Sequence, residues 1–263
     1  MLRSRPLMSA AQLSSTWGPY PPPSAARLED VTQRLAAVTR RISEQPSPHP
    51  RLVAVSKLQE PSAVLAAHRG PAGHSHFGEN YAQELRDKSR VLPRSIQWHY
   101  VGQMQTSKAK MLAAIPNLYL VETLDSEKAA DALDKALANR DASAPLRVYL
   151  QVNTSGEESK AGLPPLHEAN DGPLLELAQH VIQSCPHLLL QGLMTIGSRA
   201  ASSGASNPDF DCLVASRRAL ALLQQGNDDG GLELSMGMSA DLEAAIRAGS
   251  SNVRVGTDCF GER

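Results

Sequence analysis

Residues 52–102 read LVAVSKLQEPSAVLAAHRGPAGHSHFGENYAQELRDKSRVLPRSIQWHYVG, and this run sets the architecture. Three short β-rich runs (Leu52–Ser56, Ser75–Phe77 and Ile96–Val101) alternate with two longer segments of helical period, Glu60–His68 and Asn80–Ser89. The β-rich runs do not alternate strictly between apolar and polar residues, which is the pattern of strands covered on both faces. Strand, helix, strand, helix, strand in this order argues a parallel sheet with crossover helices.

The rhythm continues to the end of the chain. Further strands are expected at Leu118–Val121, Arg147–Val152, Leu188–Met194, Glu233–Ser235 and Asn252–Val255. Between them lie helical patterns at Ser126–Asn139, Leu174–Ser184, Asp209–Gln225 and Ala240–Ala248, with a shorter one at Thr106–Ala114. Eight strands with seven intervening helices favour a closed TIM-type (β/α)8 barrel over an open doubly wound sheet. The 263 residues and 41% hydrophobic content fit that choice, since barrels of roughly 200–250 residues form one domain. No helix is expected after the eighth strand. An extra N-terminal helix is expected over Ala25–Glu44, where Leu28, Val31, Leu35, Val38 and Ile42 recur at three- and four-residue intervals, and it is expected to cover the vacant seam. The prolines of QPSPHP (Gln45–Pro50) stop it.

Residues 1–24 end in GPYPPPS and are expected to lie outside the folded core, leaving 25–263 as the barrel domain. Arg3 and Arg5, with no acid before Glu29, make the leading segment compatible with a mitochondrial transit peptide as well as with a disordered extension. A formal net charge of −1 gives no broad footprint for nucleic acid or an anionic membrane, and no apolar run approaches the ~20 residues that span a bilayer. Three widely spaced cysteines, Cys185, Cys212 and Cys259, offer neither zinc spacing nor a disulfide framework. A reducing, cytoplasmic setting is expected.

In such barrels the working site is built at the C-terminal ends of the strands. Here those ends carry Ser56-Lys57, Glu79-Asn80, Gln103, Glu122-Thr123, Asn153 to Gly156, Thr195 to Ser198, SMGMS (235–239) and Arg254 with Gly256-Thr257. A barrel's phosphate site commonly uses the seventh and eighth loops, and these are SMGMS and RVGT. Glycine lets backbone amides approach an oxygen, while Ser and Thr add hydroxyl donors. Ser239 is expected to cap the helix that follows, whose open first turn favours an anion.

Lys57 follows the apolar run LVAVS, so its amine is expected at a partly desolvated mouth, where a neutral amine can attack an aldehyde to form an imine. A reactive lysine opposite a phosphate cradle is the pair that pyridoxal 5′-phosphate requires. Arg254 can meet either the pyridine nitrogen or the phosphate, and a guanidinium facing the nitrogen cannot protonate it. Lys160 in GEESKAG is a second amine or a solvated loop lysine. Glu79 either polarises a neighbour or is a solvated acid. His99 is expected in the core, and Cys259 as a small buried side chain.

The strings VAVSK, HFGENYAQEL, IQWHYVGQMQTSK, VETLDSEK, QVNTSGEESKAG, GLMTIGS, LSMGMSADLEAAI and NVRVGTDCFGER resemble the pyridoxal phosphate homeostasis protein family, in order, from Leu52 to the C-terminus. That family is similar to the N-terminal barrel domain of alanine racemase. The resemblance implies that Lys57 is the imine lysine, that Ser239, Gly256 and Thr257 surround the phosphate, and that Asn80 and Arg254 lie near the ring. It also implies a role in cofactor balance, without an established catalytic reaction. Gln103-Met104 and Ser107 depart from the His-Leu and Asn of many members, and RAASSGAS (199–206) is a local variation.

Three functions compete at this point. One is a monomeric carrier that holds the cofactor and supplies it to apo-enzymes. The second is an amino-acid racemase or decarboxylase, and the third is a barrel enzyme acting on a sugar phosphate. A racemase needs an opposing base, usually from a further β domain. Eight residues follow Val255, so that domain is not expected, and none of Tyr81, Tyr100 and Tyr119 stands out as the base.

Overall fold

Ser24 begins the fold by accepting the Arg27 amide at 3.1 Å, which caps helix α1 (Ala25–Ser43). Of the stripe read from the sequence, Val31, Leu35, Val38 and Ile42 are buried and Leu28 is half-buried. The computed structural model describes Trp17, Tyr20 and residues 22–140, 144–166, 171–198, 207–223 and 231–262. Its elements then run β1 (Arg51–Val55), α2 (Pro61–Arg69), β2 (His76–Glu79), α3 (Ala82–Val91), β3 (Gln97–Tyr100), a 3-10 turn (Thr106–Lys108) leading into α4 (Ala109–Ala113), and β4 (Leu118–Leu124). They continue with α5 (Glu127–Leu137), β5 (Leu146–Gln151), α6 (Pro173–Ser184), β6 (Leu188–Met194), α7 (Pro208–Leu223), β7 (Glu233–Ser235), α8 (Leu242–Arg247), β8 (Asn252–Val255) and α9 (Thr257–Phe260).

All eight strands are parallel and close into a barrel in sequence order. Closure is made by β1 on β8, with Val53 opposite Arg254 and Ala54 opposite Val255. Helix α1 packs against α2, α8 and α9, and so covers the outside of that seam.

Several expectations are corrected. A short helix, α9, does follow the eighth strand, and it packs on α1. Strand β2 runs through Gly78 and Glu79, because the missing side chain of Gly78 leaves room for Val53 and Val55 on the neighbouring strand. Strand β4 extends to Leu124, which takes Glu122 and Thr123 inside the sheet. Helix α8 starts at Leu242 and Ser239 does not cap it. Asp241 accepts the Met238 amide at 2.6 Å, and this folds residues 238–241 into a turn ahead of the helix.

Trp17 is also a correction, since it is 3% exposed and belongs to the main apolar core. Tyr20 packs beneath the Arg69 guanidinium. The rest of the segment read as a transit peptide or extension lies mostly outside the described residues, as does RAASSGAS.

The apolar core sits between sheet and helices, around Phe77, Trp98, Leu112 and Leu65. The inside of the barrel is different. Arg51, His99, Glu122, Tyr149, Ser235, Asn252 and Arg254 form a hydrogen-bonded column there, where barrels commonly hold layers of branched aliphatics. No helix among the described residues is long and apolar enough to cross a membrane.

Candidate functional site

Lys57 occupies a turn, residues 56–59, at the C-terminal end of β1, and is half-buried. The turn is held from three directions. Ser56 donates its hydroxyl to Glu79 at 2.6 Å, the Lys88 ammonium donates to the Ser56 carbonyl at 2.6 Å, and Glu84 accepts the Leu58 amide at 2.7 Å. Lys88 also bridges Glu79 and Glu84, each at 2.7 Å. Leu58 adopts φ +61°, a conformation unfavourable for a branched side chain, so the neighbouring contacts must hold it there. Glu79 is fully buried, which overturns the solvated alternative. Burial pushes its carboxyl up to about 7, against the opposing pull of Lys88 and Ser56, and its second oxygen has no partner among the described residues.

Gly256 and Thr257 follow β8, the hydrogen-bonded neighbour of β1, and Ser239 follows β7, the neighbour of β8. The amides of Ser239, Ala240, Gly256 and Thr257 donate to no protein acceptor among the described residues. Gly237 has φ +96°, and a Cβ there would sit 2.4 Å from that of Ala245, so this approach of loop to helix requires glycine. Arg41 of α1 ties the two loops together. It donates to the Ser239 carbonyl at 3.1 Å, to Asp258 at 2.7 Å and to Glu243 at 2.7 Å. Neighbouring loops with amides of this kind are able to receive the oxygens of an anion.

Arg254 forms the floor, buried to 6% exposure. It donates to the Thr195 carbonyl at 2.7 Å and to the Ser235 hydroxyl, and lies 3.8 Å from Glu122. Glu122 accepts from Ser235 at 2.5 Å, from Asn252 at 3.3 Å and from His99 Nδ1 at 2.7 Å. Burial alone would raise its pKa, but the His99 and Arg254 contacts outweigh it and hold the carboxyl below its usual range. His99 is kept neutral mainly by burial. With Nδ1–H directed at Glu122, its Nε2 accepts from His76 Nδ1 at 2.9 Å.

Asn80 lies in the bend just after β2, half-buried, and its carbonyl packs on Gly102 so closely that a Cβ there would be 1.8 Å away. Lys160 is not a solvated loop residue: it pairs with Glu157 at 2.8 Å and donates to the Gly197 carbonyl at 2.7 Å. Cys259 is buried as expected, its thiol pushed up to about 12 by burial. Of the departures from the family strings, Met104 is buried and Gln103 turns its carbonyl to Tyr100 and Lys108. Sequence reading missed Arg41, Glu84 and Lys88. They lie on helices with ordinary polar patterning, and nothing in the string signals that they face two loops and a turn.

The alanine racemase N-terminal domain family matches residues 29–263. The human pyridoxal phosphate homeostasis protein is 42% identical over 245 residues, covering 90% of this chain and 85% of the relative. The chain belongs to the pyridoxal phosphate homeostasis protein family. The family's Schizosaccharomyces pombe member is 46% identical over 215 residues, covering 81% and 84%. The structure of a further protein, PipY of Synechococcus elongatus, was solved with PLP bound and superposes with a TM-score of 0.65 at 30% identity, covering 88% of this chain and 100% of that one.

Proposed function

We propose that this chain binds pyridoxal 5′-phosphate reversibly through Lys57 and serves the cell's balance of that cofactor, holding it and supplying it to apo-enzymes. The observation that carries the reading is the pairing of β1 with β8. It puts the Lys57 turn next to the loop after β8, with the loop after β7 one strand further on. Among the described residues the amides of Ser239, Ala240, Gly256 and Thr257 have no protein acceptor, and Arg254 of β8 is buried. Kinship to homeostasis proteins and to a PLP-bound structure supports the same cofactor.

Pyridoxal 5′-phosphate supplies an aldehyde that condenses with an amine, and a phosphate that needs donors. The amides of Ser239, Gly256 and Thr257, with the hydroxyls of Ser239 and Thr257, suit the phosphate. Asn80 and Arg254 suit the ring. Arg254 offers only donors and keeps its proton, so it cannot hand one to a ring nitrogen. That arrangement favours holding over turnover. The tyrosines point the same way: Tyr100 is buried against the Gln103 carbonyl and its hydroxyl is pushed up to about 12 by burial. Tyr119 packs on the His76 and His99 rings, and Tyr81 is 53% exposed. Tyr100 and Tyr119 are thus committed to these contacts, whereas turnover would need a free base.

Borohydride reduction of the loaded protein followed by peptide mapping tests the proposal. A pyridoxyl label on the Lys57 peptide is the expected result, and a label on Lys160, or none, overturns it. Turnover of an amino-acid panel well above that of free cofactor would overturn the carrier reading alone.

A further inference from the structure

At the other end of the barrel, the N-terminal ends of β3, β4 and β5 surround a hollow of about 380 Å³. Arg94, Arg140 and Arg147 line it, together with Gln97 and Asn117, over a partly apolar floor that includes Pro145 and the ring of Tyr119. Among the described residues no carboxylate lines this hollow, and none of the three guanidiniums has a carboxylate partner. Arg140 donates to the carbonyls of Pro116 and Leu118, at 2.7 and 3.3 Å. Arg147 stacks on Tyr119 with its guanidinium carbon 4.6 Å from the ring centroid. Arg94 also lines an adjoining hollow that carries Arg86, Arg90 and Lys110, where Asp87 pairs with Arg86 at 2.8 Å. Three cations held around one concavity, in a chain whose net charge is −1, leave a local excess that no described carboxylate neutralises.

We infer that this basal hollow is a second binding site, separate from the Lys57 mouth, for a small multivalent organic anion bearing phosphate or carboxylate groups. The chemistry follows from the lining. Guanidiniums present paired donors that match the oxygens of either group, and the Tyr119 and Pro145 surfaces suit a short carbon skeleton. A hollow of this size is in the range that accepts small metabolites. Salt should weaken binding at so open a site. The site does not depend on the cofactor proposal, because none of its residues belongs to the mouth.

The test uses the protein loaded with pyridoxal 5′-phosphate, so that an anion cannot take the cradle at the mouth unnoticed. Inorganic pyrophosphate and citrate are titrated separately by calorimetry, with the cofactor absorption followed in parallel. The expected result is one saturable site for at least one probe, with the absorption unchanged; the tighter probe then identifies the phosphate or carboxylate class. The double variant Arg94→Gln/Arg147→Gln should weaken binding by roughly tenfold or more. Gln97→Glu keeps every arginine and should weaken it as well, which separates charge from misfolding. No saturable binding of either probe up to about 10 mM would overturn the inference. So would equal affinity in all variants, or binding that displaces the cofactor.

Discussion

Lys57 gains its setting from neighbours of which Ser56, Glu79 and Lys88 are buried. Ser56 is tied to Glu79 and Lys88, and Leu58 to Glu84, so the lysine stands on a braced turn. Lys57→Ala should abolish the absorption of the bound cofactor while changing stability by less than about 0.5 kcal/mol, as for a partly exposed side chain outside the core. Spectra with thermal denaturation check this, and a surviving band would implicate Lys160. Glu79 yields a pH prediction. Its folded pKa of about 7 is above the value of ~4.3 for a free glutamate, so the folded state binds the proton more tightly between those limits. The contribution is full below ~4.3 and is lost as pH rises toward 7, at up to ~1.4 kcal/mol per pH unit. Unfolding midpoints at pH 5 and pH 8 should therefore show the native protein losing stability relative to Glu79→Gln as pH rises; a constant difference would refute the assignment. The glycines and hydroxyls of the proposed cradle were legible in the string as residue types gathered at two neighbouring strand ends, although each alone reads equally as a cap or a turn. The burial of Glu79 could not be read, because it depends on Lys88 reaching it from a helix nine residues on.

Helix α1 does more than fill a seam. Its Arg41 spans from Glu243 in α8 to Asp258 in α9 and takes the Ser239 carbonyl between them. Arg41→Gln should lower cofactor affinity roughly tenfold, about 1.4 kcal/mol, through looser spacing of the two loops. A spectral titration checks it, and unchanged affinity would mean that the loops hold their spacing without α1. The strands were readable because those of a parallel barrel are covered on both faces and so carry apolar runs. Their ends were less so. Gly78 reads as a break but serves β2 by yielding space, and Asp241 starts a turn where spacing alone extends the helix. An arginine on the polar side of an amphipathic helix carries no mark of what it will touch, and Arg41 was invisible for that reason.

The basal hollow and the Lys57 turn lie at opposite ends of a barrel whose interior is polar. From base to mouth, Arg51 reaches Asn252, Asn252 reaches Glu122, and Glu122 faces Arg254. A ligand that binds only the closed barrel stabilises it by mass action: free cofactor at a hundred times its Kd should add about 2.7 kcal/mol. Thermal shift should report that gain, and amide exchange should slow at the ends of β1 and β8; protection confined to the Lys57 turn would contradict a contribution from the β8 loop. The closing pair also has a meaning in time. Arg51 and Asn252 are 201 residues apart in the chain, yet they adjoin in the barrel. During synthesis Lys57 is made early and waits, without the loops proposed to take the anion, until nearly all of the remaining barrel has emerged from the ribosome. On the proposed assignment a nascent chain cannot capture the cofactor in that site, and holding it becomes a sign that the ring has closed.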